Sequence, residues 1–239
     1  MGRVTDAGIR GMVGPVVFYV VDGKSYVKAK PRKRKRKRGE APDPLETIFG
    51  TVSTYGSAMI QRMKNSFLFP FGRGTYNSLR GWMRNQYAQN YLEPVWDIAS
   101  NSGMCQVNAG IDLRDFLKTS IAISDKGSAG IGLSFPPVNP GKDLKVPPRT
   151  TKVNLKLIMV SSPFRESESS TGFCMEQYPF EYSDTLIPAR EFILDTHAVA
   201  GDIAIVVIAI EYQISGSDFY SNDPRWLPAA VVAMGRIKK

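Results

Sequence analysis

The chain has 239 residues, 43% of them hydrophobic and 22% charged, which is the composition of a globular protein with a substantial core. The longest wholly apolar run, residues 203–210, has the length of a strand and falls far short of the roughly 20 residues that a membrane helix needs. We therefore expect no transmembrane segment. The formal net charge of +9 favours anionic partners.

The start of the chain does not resemble a secretory signal peptide. The apolar residues 16–21 form too short a run, and Asp22-Gly23 and a basic tract follow them instead of a small-residue cleavage site. We therefore expect a cytoplasmic protein. Cys105 and Cys174 fit that compartment; they are able in principle to form a bridge, but we interpret them as incidental core or surface thiols.

A β-hairpin is predicted near the N-terminus. Residues 1–13 are glycine-rich and are interpreted as a loop or arm, whereas residues 15–21 are rich in β-branched and aromatic side chains. Asp22-Gly23 separates this strand from residues 24–28, and such a dipeptide is typical of a type I′ turn.

Seven consecutive cations at residues 32–38 form the most informative segment of the chain. They supply +7 of the net charge of +9, and ten of the fifteen residues from Lys24 to Arg38 are Lys or Arg. Such a run repels itself, resists burial and attracts polyanions. The alternatives are a solvated basic linker or a targeting signal. The predicted nucleic-acid-binding residues are Lys24, Lys28, Lys30, Arg32, Lys33, Arg34, Lys35, Arg36, Lys37 and Arg38.

Two helices are predicted after the basic tract. Asp43 is a candidate cap and Pro44 suits the first helical position. Apolar residues then recur at helical spacing until residues 70–74 break the pattern. A second helix is expected to begin with Thr75 as its cap and to end before Pro94. The apolar positions are Leu45, Ile48, Phe49, Val52, Met59, Ile60, Met63 and Phe67 in the first helix, and Tyr76, Leu79, Met83 and Tyr87 in the second.

From about residue 104 the pattern changes to short apolar runs separated by Gly, Pro, Ser and Asp. Such spacing, without intervening helices, predicts an antiparallel sandwich of about seven strands. The predicted strands are residues 121–124, 131–135, 153–160, 172–178, 191–194, 203–212 and 229–237. Residues 153–160 alternate and are expected to have one buried and one mostly wet face, whereas residues 203–210 lack alternation and are expected to form a central strand.

Few residues indicate catalysis or cofactor chemistry. His197 is the only histidine, no Gly-x-Ser-x-Gly motif accompanies it, and the two cysteines lack the spacing of a zinc site. The carboxylates of residues 166–168 and of Asp218 and Asp223 fall in loops and are interpreted as solvated. The glycines of residues 127–132 indicate a turn between strands rather than a phosphate-binding loop. We therefore predict no enzyme activity, no cofactor and no metal.

The N-terminal pattern resembles a family of uncharacterised proteins from Bacteroidetes. The matching residues are Gly8, Gly11, Gly14, Val16, Val17, Tyr19, Gly23, Lys24, Val27, Lys30 and Pro31. The resemblance implies a helical region and a C-terminal β half, and a bacterial or phage source. The resemblance implies no particular activity, because the family has no established one. Two departures are the unbroken run of seven cations and an apparent added loop at residues 220–228.

Together these observations predict an α+β protein with an N-terminal β-hairpin and basic arm (residues 1–42), a helical region (43–103) and an Ig-like antiparallel β-sandwich (104–239). The predicted function is a non-enzymatic structural or assembly protein whose basic arm contacts nucleic-acid phosphates without sequence specificity. Phage and virus-like particle subunits fall within this class, which would place the protein in a virion. The alternative is a protein- or glycan-binding module whose arm docks on an acidic partner. A homo-oligomer or larger assembly is compatible with both.

Overall fold

The computed structural model describes residues 2–5, 8–21, 23–30, 44–90, 103–127, 130–164 and 171–237. The chain divides into two units, Met1–Pro42 and Asp43–Lys239. Several residues singled out in the sequence lie outside the described residues. They are Asp22 in the hairpin turn, the cations at residues 32–38, the predicted cap Asp43, and Glu166 and Glu168.

The first unit is a four-stranded antiparallel sheet in which each strand pairs with the next along the chain. Its strands are β1 (Gly2–Thr5), β2 (Gly8–Val13), β3 (Val16–Val21) and β4 (Lys24–Ala29). The prediction of a loop or arm for residues 1–13 is therefore wrong. Glycine disfavours a strand by itself, but pairing of β2 with β3 satisfies its backbone hydrogen bonds and overrides that preference.

The predicted hairpin between β3 and β4 is confirmed. Val21 lies opposite Lys24, so the turn contains two residues. Gly23 has a φ of +77°, a backbone conformation that glycine adopts without steric cost. Gly14, in the turn between β2 and β3, has a φ of +58° for the same reason.

The second unit begins with a continuous helical segment, which corresponds to the first predicted helix. It comprises α1 (Pro44–Thr51), a π-helical stretch (Val52–Gly56), α2 (Ser57–Met63) and a 3-10 turn (Lys64–Ser66). The predicted apolar face is buried at Ile48, Val52, Met59, Ile60, Met63 and Phe67. Phe49 is an exception because it is 54% exposed. One residue after Ile48 is a rotation of about 100° around the helix, which turns this side chain away from the core.

The second predicted helix is α3 (Arg73–Asn90), which begins two residues before the predicted cap Thr75. Leu79, Met83 and Tyr87 are buried on one side, as predicted. Met83 lies so close to Gly56 that a Cβ atom on that glycine would be 3.2 Å from the Met83 Cε atom. A small residue in the π-helical stretch therefore allows the two helices to pack closely.

The remaining chain forms two antiparallel sheets. Its elements are β5 (Cys105–Gln106), α4 (Leu113–Phe116), β6 (Ala122–Asp125), β7 (Ile131–Phe135), α5 (Pro140–Asp143), β8 (Thr150–Ser162), β9 (Gly172–Glu181), β10 (Arg190–Leu194), β11 (Ile203–Ile214), a 3-10 turn (Pro224–Trp226) and β12 (Ala229–Arg236). One sheet has the order β5-β12-β11-β8-β9 and the other β10-β7-β6. The predicted α+β class with an antiparallel sandwich is confirmed. The two-residue strand β5 was not predicted.

The five-stranded sheet is covered on both faces. Leu157 of β8 and Ile208 of β11 belong to the core shared with the three-stranded sheet, which contributes Leu133 and Leu194. On the opposite face, β8, β11 and β12 share a second core with the helices. Strand β11 lies between β12 and β8, and its first ten residues are all buried. The prediction of a central strand is confirmed.

A β-bulge in β12 adjusts which side chains enter each core. Val206 lies opposite Ala233, whereas the next residue, Val207, lies opposite Val231. Val232 is the additional residue on β12. Val232 and Ala233 consequently both belong to the core between the two sheets, where strict alternation would place only one of them.

The face of β8 that was predicted to be mostly exposed to solvent is buried. Ile158 is fully buried against the helical layer, and Asn154 is only 1% exposed. The polar residues of this face bond to one another: Lys156 Nζ lies 2.6 Å from Glu211 Oε1, and Asn154 Nδ2 donates to Glu211 Oε2. Lys156 also donates to the Ser66 carbonyl at the end of the helical segment. The polar residues at this end of the face are therefore partners in a buried network rather than groups exposed to water.

The two-sided burial of β8 predicts that truncation on either face destabilises the protein similarly. Leu157 faces the sandwich core and Ile158 faces the helices, and both are fully buried. Leu157→Ala and Ile158→Ala should each lower the free energy of unfolding by about 2–5 kcal/mol, measured by urea denaturation. Val199→Ala is the control, because Val199 is 55% exposed and should lose less than about 0.5 kcal/mol. If Ile158→Ala lowered the free energy of unfolding as little as the control does, the packing of the helices against this face of β8 would be contradicted.

Candidate nucleic-acid interface

The three predicted site residues that the structure describes lie together at the end of the first unit. Lys24 and Lys28 belong to β4, Lys30 follows it directly, and all three side chains are exposed. The backbone N–H of Lys30 donates to the Pro15 carbonyl at 2.6 Å, so the ordered pairing extends to Lys30. The other seven predicted residues, at positions 32–38, lie outside the described part of the chain.

Strand β4 separates two kinds of side chain by simple alternation. Lys24, Tyr26, Lys28 and Lys30 alternate with Ser25, Val27 and Ala29. Successive side chains of a strand point to opposite faces of the sheet, so the lysines and the tyrosine share one face. The cross-strand register adds Tyr19 and Val17 to that face, opposite Tyr26 and Lys28 respectively. We call these residues the basic aromatic face: Val17, Tyr19, Lys24, Tyr26, Lys28 and Lys30.

The two tyrosines of the basic aromatic face form a stacked pair. Their ring centroids are 5.5 Å apart and the ring planes differ by 21°. The Lys28 Nζ atom lies 5.2 Å from the centroid of the Tyr19 ring, within the range of a cation–π contact. Tyr19 is 36% exposed and Tyr26 is 44% exposed. The pair therefore presents aromatic surface and positive charge together to solvent.

The opposite face of β3 and β4 is apolar except at Ser25. Val16, Phe18 and Val20 on β3 are half-buried, and they alternate with the residues that belong to the basic aromatic face. Val27 on β4 is 56% exposed. The alternation thus gives this thin sheet one apolar face and one face that combines cations with aromatic rings.

Charge is divided unequally between the two units. Residues 1–42 contain twelve Lys and Arg against three Asp and Glu, whereas residues 43–239 contain nineteen of each. The whole formal net charge of +9 therefore belongs to the first unit. Within the described residues of its sheet no carboxylate side chain occurs, so no acidic partner competes there for the lysines.

The sequence indicated these cations but not the face on which they lie. From the sequence, Tyr19 and Tyr26 are candidates for added stacking beside the basic tract, but nothing shows that they share a face with the lysines. The signal that identifies the face is the period of two in residues 24–30, which becomes meaningful once the register with β3 is known. The sequence also offers five residues of the helical region as added charge or stacking if the helices face the basic tract, and these lie in the second unit: Arg62, Arg73, Arg80, Trp82 and Arg84. Their contribution to the basic aromatic face stays a prediction.

The arginines of the helical layer make local contacts. The Arg80 guanidinium donates to Ser53 Oγ at 2.6 Å and lies 5.5 Å from the Tyr76 ring centroid. Arg80 and Arg84 line a groove of about 230 Å³ beside the π-helical stretch. Arg62 lies 5.6 Å from the Phe173 ring centroid and links α2 to β9.

His197 lies in the connection between β10 and β11. Its imidazole Nδ1 is 3.2 Å from Asp195 Oδ2, and its side chain is 92% exposed. Its backbone N–H donates to Asp195 Oδ1, which holds the residue at a φ of +55°. In the described part of the chain, no serine hydroxyl lies within hydrogen-bonding distance of this imidazole.

The carboxylate of Asp223 has a structural role. It accepts hydrogen bonds from the backbone and guanidinium of Arg225 at the start of a 3-10 turn. The guanidinium holds the pKa of Asp223 below its usual range, whereas a general acid needs a raised pKa.

No group of three or more His, Cys, Asp and Glu side chains able to hold a metal ion occurs among the described residues. Every helix in the described ranges is too short or too polar to cross a bilayer.

No protein-family profile matches this chain, and neither the curated proteins nor the solved structures contain a significant match.

The two cysteines are free thiols at opposite edges of the five-stranded sheet. Cys105 is on β5 and Cys174 on β9, four strand spacings apart, or roughly 19 Å at about 4.8 Å per spacing. A disulfide needs Cα atoms within roughly 7 Å, so the two cannot bridge within this fold. Burial raises the pKa of both thiols, which lowers the fraction of reactive thiolate.

We therefore predict slow alkylation of the folded protein by iodoacetamide at neutral pH. Cys105 is buried and should stay unmodified, whereas Cys174 is half-buried and should react slowly. Both should react fully in denaturant. Peptide mass spectrometry with and without denaturant measures each site. Rapid native labelling of Cys105, or a peptide mass that joins the two cysteines, would contradict this arrangement.

Proposed function

We propose that this protein is a non-enzymatic structural or assembly protein that binds nucleic acid through its phosphates, without reading base sequence. The observation that carries the proposal is the concentration of the net charge of +9 in residues 1–42, against a formal charge of zero in residues 43–239. Nucleic acid carries a negative charge at every nucleotide and releases condensed counterions when cations bind it. Nucleic acid is therefore a polyanion that such a segment attracts strongly.

The type of contact follows from the arrangement of the cations. Residues 32–38 are all Lys or Arg, and the charge attraction that they supply is the same for any sequence of bases. Lys24, Lys28 and Lys30 lie on one strand face and follow it at intervals of two or four residues. Contacts of these kinds are made to phosphates, which set affinity and register but carry no sequence information.

The second unit supplies the structural part of the proposal. Its formal neutrality leaves little long-range repulsion between copies, a condition that promotes association. Coat proteins that pair a basic arm with a β-rich shell domain provide an analogy at the level of fold, and a phage or virus-like particle subunit falls within the proposed class. The proposal places the protein in the cytoplasm or, for a particle subunit, in the virion.

The salt dependence of binding tests the nucleic-acid part of the proposal. Affinity of the full chain for a labelled oligonucleotide should fall linearly on a log–log plot against salt, with a slope of about 0.7–0.9 per phosphate contact. Replacing residues 32–38 by Ser and Gln should remove most of that slope. Lys24→Gln with Lys28→Gln should lower it by the equivalent of about two contacts.

A matched control separates local contact from overall charge. Lys118→Gln with Lys142→Gln removes the same charge from exposed positions in the second unit and should leave the slope unchanged. Equal effects of the two double variants would overturn the assignment of binding to the first unit. Affinity that survives the replacement of residues 32–38 would overturn the role of the basic arm. Affinity that also survives the added changes Lys24→Gln and Lys28→Gln would favour a partner held by residues 43–239.

Size-exclusion chromatography with light scattering tests the assembly part separately. The purified full chain should elute as a species of defined mass above that of the 26.5 kDa monomer. Co-purifying nucleic acid should raise the ratio of absorbance at 260 and 280 nm. A monomer at all concentrations, with or without added nucleic acid, would remove the assembly role and leave the binding role standing.

A further inference from the structure

We propose that the Tyr19–Tyr26 pair is a stacking platform for unpaired bases, so that the nucleic acid bound by this protein is single-stranded. This inference rests on the proposed function and names its substrate class. The net charge by itself attracts duplexes and single strands alike, since both carry phosphates. The aromatic pair adds a surface that only unpaired bases are able to use.

The geometry of the tyrosine pair suits a base that stacks on it. Tyr19 and Tyr26 lie directly opposite each other on β3 and β4, and their rings are 5.5 Å apart and nearly parallel. Lys28 lies near the ring of Tyr19. Tyr26 is on β4, the edge strand of its sheet, and is 44% exposed. A base that stacks on Tyr26 therefore extends an existing pair of aromatic rings.

Positive charge lies on both sides of the Tyr26 ring along the strand. Lys24 and Lys28 each lie two residues from Tyr26 on the same face of β4, or roughly 7 Å along the strand at about 3.4 Å per residue. Phosphates on either side of a stacked base are thus within reach of two flexible ammonium groups. Single-strand-binding proteins combine the same two features, a cationic track for the backbone and aromatic side chains for the bases.

Single strands and duplexes differ in whether the faces of their bases are accessible. In a duplex the faces of the bases are covered by their neighbours in the stack, and a protein reaches only their edges and the phosphates. Exposed tyrosine faces are then of little use. A two-stranded β-ribbon also fits the major groove of DNA, so preferential duplex binding by β3 and β4 is the competing outcome.

Three probes of equal length measure the contribution of stacking with the full chain. They are a fluorescein-labelled oligothymidylate of about 16 nucleotides, an abasic strand with the same phosphates, and the thymidylate annealed to its complement. Tyr26→Val removes the ring but keeps a good strand-forming residue, and Tyr26→Phe keeps the ring. Titrations by fluorescence anisotropy at several salt concentrations yield affinity and salt slope for each pair.

The wild-type chain should bind oligothymidylate more tightly than the abasic strand or the duplex. Tyr26→Val should weaken oligothymidylate binding by roughly five- to hundredfold, in line with one stacked base, without altering the salt slope. It should leave affinity for the abasic strand unchanged. Tyr26→Phe should bind all three probes as the wild type does.

Other results separate the failure of this inference from that of the proposed function. Tyr26→Val that binds oligothymidylate as tightly as the wild type, or that weakens abasic and thymidylate binding equally, would overturn the stacking platform. So would a wild-type preference for the duplex. In each of these cases salt-dependent binding through residues 1–42 would stand. A wild-type chain that binds none of the three probes would instead overturn the proposed function itself.

Discussion

The need to cover both faces of the five-stranded sheet governs the architecture of the second unit. Its central strand β11 is apolar on both sides, so neither face tolerates water without a large loss of hydrophobic stabilisation. The three-stranded sheet covers one face and the helices cover the other. The close approach of Gly56 to Met83, the bulge at Val232 and the buried Lys156–Glu211 pair each adjust one of these two contacts.

The first unit depends less on a buried core. A four-stranded sheet of short strands encloses little core, and its period of two instead separates an apolar face from the basic aromatic face. The separation of charge between the units follows the same division. One unit is neutral and has two cores, and the other holds the net charge of +9. We infer a division of labour in which the neutral unit supports and the charged unit binds.

Sequence patterns predicted where strands and helices form better than they predicted strand pairing and burial. Seven strands of the second unit, the hairpin and both helices were recognisable because alternation, helical spacing and Asp-Gly are local signals. The errors concern which strands pair and which faces of the sheet are buried. Residues 8–13 form a strand because β3 lies beside them, and β5 is a strand only through two pairs with β12. The polar residues Asn154 and Lys156 suggested a wet face because their partner Glu211 is more than fifty residues away in the chain.

The amino-acid sequence by itself determined where the charge lies, where the hairpin, the two helical segments and seven strands of the second unit form, and that β11 is buried on both sides. These properties depend on residue type and on spacing within a few positions. Only the tertiary structure decided that helices cover the second face of β8, and that Tyr19 meets Tyr26 beside Lys28. The physical reason is register. Which side chains meet across strands depends on backbone hydrogen bonds between distant segments, and a shift of one residue would move every side chain to the other face.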